Sequence, residues 1–138
     1  MRVKGLLDAL QDDRSKVRLD VAALELASIE FPGLDQEAFL FRLDHLAEQI
    51  EGQLTPGASG MDFIKGTNEL LFEVMQFRGN SDEYYDPRNS CLNSVLMRRL
   101  GIPISLSLVY MEVARRLSRN VYGVGLPGHF IVAYEDSE

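Results

Sequence analysis

The sequence predicts an α+β fold, mainly helical. An N-terminal helical hairpin over residues 1–55 leads into a second unit, residues 61–138, that ends in a small antiparallel sheet. Three observations carry this reading. Apolar residues recur at helical spacing through five separate stretches. Pro, Gly or Asn punctuates the chain where those helices have to stop. Only the last stretch, Val121 to Tyr134, reads as extended, with Gly123, Gly125 and Pro127-Gly128 dividing it into strand, turn and strand.

Each element follows in order. Val17, Val21, Leu24, Ala27 and Ile29 mark a first helix, broken by Phe31-Pro32-Gly33. Asp35 can cap a second, whose stripe is Phe39, Leu43, Leu46, Ala47 and Ile50. Residues 52–60 form the linker. A third helix carries Phe63, Ile64, Leu70, Leu71, Val74 and Met75, and Gly79-Asn80 ends it. After a polar stretch, Asp86-Pro87 can open a fourth helix as cap and first residue, with Leu92, Val95, Leu96 and Leu100 on its apolar side. Pro103 opens a fifth, apolar nearly all round, as a helix buried in a core should be. In the second strand His129, Ile131 and Ala133 share a face. The chain stops at Glu138 directly after that strand. Its two strands call for a completing edge, so a longer protein is expected, or self-association through the open edge.

Composition bounds the function. The chain has 138 residues, of which 46% are hydrophobic and 25% charged, enough for a real core. No apolar run reaches the ~18 residues of a membrane span, and Arg2 and Lys4 do not precede a signal-peptide core. A net charge of -7 argues against tracking nucleic-acid phosphates. A basic segment does exist: Arg88, Arg98, Arg99, Arg115, Arg116 and Arg119 stand against Glu112 alone in residues 88–119. Placement of these arginines in last helical turns, opposing the macrodipole, explains them without a ligand. Cys91 is the single cysteine, and His45 and His129 are the two histidines. No disulfide, metal or cofactor is therefore expected, and a reducing, cytoplasmic setting fits.

Chemistry, if present, centres on Cys91 at the start of the fourth helix and His129 on the second strand. A helix N-terminus and an imidazole both favour the thiolate that a cysteine nucleophile needs. A lone cysteine can equally be a small core residue, and a lone histidine a satisfied one.

The runs Phe77-Arg78-Gly79-Asn80, Tyr85-Asp86-Pro87-Arg88-Asn89-Ser90, Gly101-Ile102-Pro103-Ile104-Ser105-Leu106, Glu112-Val113-Ala114-Arg115-Arg116-Leu117 and Gly123-Val124-Gly125-Leu126-Pro127-Gly128-His129-Phe130 resemble a bacterial group. This is the invasion-gene-regulator (SirB-type) branch of the transglutaminase-like superfamily, and the helical hairpin over residues 17–54 matches it too. The resemblance implies the front part of a papain-like domain. It implies a nucleophile opening a buried helix, His129 as the base, and an orienting acid beyond Glu138. Two registers compete for the nucleophile: Cys91 on the fourth helix, or Ser105 on the fifth. The second is favoured, because the superfamily's catalytic helix usually directly precedes the histidine strand. Ser105 has a plain alternative role as a helix cap.

Asn80, Asp86 and Asn89 suit turns and caps. Arg88 can pair with Asp86 or Asp82, Tyr84 and Tyr85 read as a partly buried pair, and a buried Glu112 would need a partner such as an arginine of the fourth helix. Two functions stay open. One is a non-catalytic member binding a protein or peptide in a regulatory role, which is favoured. The other is a cysteine-dependent amide hydrolase or acyltransferase using Cys91 and His129.

Overall fold

The computed structural model describes residues 18–126 and 129–135. Helix α1, Leu19–Glu30, is built from strong helix formers and ends where Pro32 cannot continue it and Gly33 takes a φ of +85°. Helix α2, Gln36–Gln53, starts at the expected cap, with the Asp35 carboxylate accepting from the Ala38 N–H. Leu43, Leu46, Ala47 and Ile50 make its buried face. Helix α3, Gly60–Asn68, opens on a reciprocal capping box between Ser59 and Asp62 at 3.1 and 3.2 Å.

The continuation of α3 departs from a regular helix. Residues Glu69–Val74 form a π-helical turn that buries the neighbours Leu70 and Leu71. The wider turn shifts the face, so Val74, expected in the apolar stripe, is exposed. Ile29 of α1 is exposed as well, lying off the face that buries Leu24 and Ala27.

Strand β1, Arg78–Gly79, follows, then a 3₁₀ turn over Pro87–Ser90 and helix α4, Leu92–Arg98. Strand β2, Leu100–Gly101, leads into helix α5, Pro103–Arg116. Strands β3, Asn120–Leu126, and β4, His129–Glu135, close the described chain. The sheet expectation needs correction. The β3–β4 hairpin is antiparallel, but a second ladder pairs β1 with β2 in parallel, Arg78 opposite Leu100 and Gly79 opposite Gly101. The 3₁₀ turn and α4 form the crossover that a parallel pairing requires.

Helix α5 is the centre of the molecule. It packs against both strands of the hairpin on one side and against α2 on another. Leu24 of α1, Leu43 and Ile50 of α2, Phe63 of α3, Val95 of α4 and Val109, Tyr110 and Val113 of α5 belong to a single apolar cluster. Described residues of the helical hairpin and of the elements after it thus contribute to one apolar cluster. Tyr110 is fully buried, its hydroxyl donating to Asn68 Oδ1 at 3.0 Å, and burial pushes its pKa up to about 12.

Candidate functional site

The expected site residues lie on three elements. Cys91 is the residue that precedes α4: Asp86 caps the 3₁₀ turn, accepting from the Arg88 N–H at 2.9 Å, and Cys91 itself stands at the cap position of α4. Its side chain is buried, and the thiol's hydrogen-bond contact is the Pro87 carbonyl at 3.7 Å, a weak interaction. Burial pushes the thiol pKa up, and the carboxylates of Glu30 and Asp86 push it further the same way. All three effects oppose thiolate formation, and α4 has only seven residues to offer a counteracting dipole.

Ser105 occupies the third position of α5. Its hydroxyl donates to the Asn89 carbonyl at 2.6 Å, lies 3.1 Å from the Ile102 carbonyl, and accepts from the Ile102 N–H at 3.0 Å. The serine therefore caps the helix start and ties it to the loop before α4. Buried and engaged both as donor and as acceptor, its oxygen is held in the framework. His129 opens β4, opposite Leu126 in the hairpin register. Its side chain lies outside the described residues, as do Pro127, Gly128 and Asp136. The helix that packs on the His129 hairpin is α5, the one carrying Ser105.

The loop between β1 and α4 is organised by two buried asparagines. Asn80 Nδ2 donates to Asn89 Oδ1 at 3.0 Å, and Asn80 Oδ1 accepts from the Glu83 N–H at 3.1 Å. Asn89 Nδ2 donates to the carbonyls of Glu83 and Tyr84 at 2.9 and 3.0 Å. Arg88 pairs with Asp86 at 2.7 Å, which with the Arg88 N–H holds the Asp86 carboxyl down at about 2. Tyr84 and Tyr85 meet edge to face, with ring centroids 5.2 Å apart. They are not the partly buried pair expected: Tyr84 is 51% and Tyr85 92% exposed.

Glu112 is buried, and its partners are Arg115 and Arg116 one turn on in the same helix, at 2.8 and 3.1 Å, rather than an arginine of α4. These arginines do more than oppose a helix dipole. Arg116 reaches Asp20 of α1 and Asp44 of α2, each at 2.7 Å, and Arg115 reaches Asp20 at 3.4 Å. A residue that drew no attention in the sequence is Asn93, in the first turn of α4. It is buried, and its Oδ1 has no hydrogen-bond partner among the described residues. Only its polarity within an otherwise apolar stripe hints at this.

The hairpin whose second strand starts at His129 packs on the buried helix α5, and comparison with known families places the chain. Residues 37–138 match the model of the transglutaminase-like superfamily, and the chain belongs to that superfamily. Among individual relatives, a UPF0162 protein of Xylella fastidiosa is 40% identical over 120 residues, covering 87% of this chain and 43% of that protein. A UPF0162 protein of Pseudomonas aeruginosa is 38% identical over 111 residues, 80% of this chain and 41% of its own length. Human F-box only protein 21 is 40% identical over 71 residues, 51% of this chain and 11% of that protein. The chain thus spans less than half the length of these relatives. No solved structure matches it. Among the described residues, no helix is long and apolar enough to cross a membrane.

Proposed function

We propose that this chain is part of a non-catalytic member of the transglutaminase-like superfamily, of the invasion-gene-regulator (SirB-type) branch, that binds a protein or peptide in a regulatory role. The observation that carries this reading is the Ser105 hydroxyl, bound to the Asn89 carbonyl and the Ile102 N–H at the start of the central helix. At the favoured nucleophile position stands a hydroxyl used as a structural clip. A serine there would need strong activation by a base to attack at neutral pH. The other nucleophile, Cys91, sits where burial and two carboxylates favour the thiol. A reducing, cytoplasmic setting suits a chain whose one thiol stays free.

The second reading is the amide hydrolase or acyltransferase. There the Cys91 thiolate attacks the amide carbonyl, His129 returns the proton to the departing amine, and water or an acceptor amine resolves the thioester. The placement of Cys91 directly before a helix favours it.

Iodoacetamide alkylation of folded protein across pH separates the two, with His129→Ala as the reference, because Cys91 is the only thiol. The binding reading expects a midpoint above the ordinary value of about 8.5, unmoved in the variant. A midpoint several units lower that rises in His129→Ala would replace it with the enzyme.

A further inference from the structure

The segment from Asp82 to Asp86 combines features that rarely meet by chance on a surface loop. Tyr85 is 92% exposed and Tyr84 51%, yet the backbone carrying them is fixed from beneath. The buried Asn89 amide holds the carbonyls of Glu83 and Tyr84, Asn80 holds the Glu83 N–H, and the Ser105 hydroxyl holds the Asn89 carbonyl. Buried amide groups that hydrogen-bond a loop remove its conformational freedom before any partner arrives, which lowers the entropic cost of binding. Large apolar side chains held rigidly in water are the anchors that interfaces use, tyrosine foremost among them.

Charge identifies the occupant. Residues 80–86 hold Asp82, Glu83 and Asp86 and no basic residue. Asp86 is neutralised by Arg88 and Arg98. Asp82 and Glu83 form no ion pair among the described residues, although Arg88 is near enough to feel the Glu83 charge, and in sequence they directly precede the two tyrosines. Carboxylates and tyrosine rings on one short loop each attract a cation, the first by Coulomb attraction and the second by the ring quadrupole. An acidic or phosphorylated segment would be repelled.

We infer that the loop Asp82–Tyr85 is a preformed docking surface for a basic peptide segment, whose lysine or arginine side chains lie over Tyr84 and Tyr85 and pair with Asp82 and Glu83. This rests on the peptide-binding reading above and gives it a place and a partner chemistry.

The test is a titration of the isotope-labelled chain, followed by amide NMR, with three unstructured peptides of equal length: alternating Lys-Gly, alternating Glu-Gly and alternating Ser-Gly. The expected result is binding of the lysine peptide alone, with shifts concentrated in residues 80–90. Affinity should fall roughly tenfold in Tyr85→Ala, whose exposure leaves the fold untouched. Asp82→Asn with Glu83→Gln should weaken binding by a similar factor and reduce its salt dependence. Lysine-peptide shifts spread over the acidic faces of α1 and α2, or an unchanged affinity in Tyr85→Ala, would overturn this site while leaving peptide binding in place. Failure of all three peptides to bind would overturn the site and count against the binding reading itself.

Discussion

Arg116 of α5 donates to the Asp20 carboxylate of α1 at 2.7 Å, joining residues 96 positions apart. The same guanidinium holds Asp44 of α2 through Nε and Glu112 of its own helix through Nη1. One arginine thereby fastens the N-terminal hairpin to the central helix. Asp20 is fully buried and Arg116 nearly so, and the buried carboxylate is shared with Arg18 and Arg115, so the cluster compensates its charges as a network rather than as a single pair.

Asp20→Asn is therefore expected to cost about 2–3 kcal/mol, because it removes the buried carboxylate shared by Arg18, Arg115 and Arg116, although Arg115 keeps Glu112 and Arg116 keeps Asp44 and Glu112. Asp44→Asn should cost under about 1 kcal/mol, since the Asp44 side chain is half exposed and water can replace it. Urea unfolding of both variants at pH 7 checks the contrast. Equal losses would mean that burial does not govern this network.

The same cluster sets a pH dependence. Burial alone would raise the Asp20 pKa, but hydrogen bonds from Arg18, Arg116 and the Val21 N–H outweigh it and hold the carboxyl at about 2, below its ordinary 3.8. A depressed carboxyl contributes stability that is complete above its unfolded value and vanishes as pH falls through its folded one. Glu112 runs the other way: burial raises it, so the folded chain binds that proton more tightly and stability rises as Glu112 protonates. Unfolding midpoints should thus hold or climb on acidification toward pH 4 and fall between about 4 and 2. Glu112→Gln should remove the first trend and Asp20→Asn should blunt the second. Variant curves running parallel to wild type would count against both assignments.

Much of this architecture was legible in the residues, and the gaps have physical causes. The stripe of α2, the Asp35 cap, the apolar face of α5 and the extended character of the last stretch follow from local sequence, which depends on near neighbours, although Gly123 and Gly125 pair within β3 instead of dividing it. The β1–β2 ladder was not legible: two residues carry no alternation, and a parallel pairing depends on what the crossover does. The π-helical turn over Glu69–Val74 was invisible for a similar reason, because its spacing differs from an α-helix by one residue over a single turn. Arg115 and Arg116 read as dipole-opposing cations because their partner Asp20 lies about a hundred positions away. At the candidate site, the capping role of Ser105 was foreseeable from its place after Pro103, whereas its bond to Asn89 depends on how the loop folds back.

Ser105 also explains Gly101. A Cβ at Gly101 would stand 2.7 Å from Ser105 Oγ and 3.3 Å from both methyl groups of Val95. The serine oxygen cannot retreat without surrendering its bonds to Asn89 and Ile102, so Gly101→Ala should cost about 1–3 kcal/mol as an overpacked site. Ser105→Ala should cost about 1–2 kcal/mol by leaving the Asn89 carbonyl and the Ile102 N–H without that partner. The double variant should lose less than the sum, since alanine at 105 vacates the space the new methyl needs. A double-mutant cycle in urea measures this, and strict additivity would show that the two positions do not meet.

Asn93 offers the opposite kind of change. Its Oδ1 is buried with no hydrogen-bond donor among the described residues, so the fold bears a desolvation cost without a compensating bond there. Replacing such a group with an apolar side chain of similar outline removes the cost. Asn93→Leu is accordingly expected to stabilise the chain by about 1 kcal/mol, read as a higher urea midpoint with an unchanged slope. Asn93→Asp should destabilise it by more than that at pH 7 and recover as pH falls through the raised pKa of a buried carboxyl, because protonation removes the charge that burial penalises. If Asn93→Leu instead weakens folding, the amide nitrogen of Asn93 is contributing a bond that outweighs the unmet oxygen.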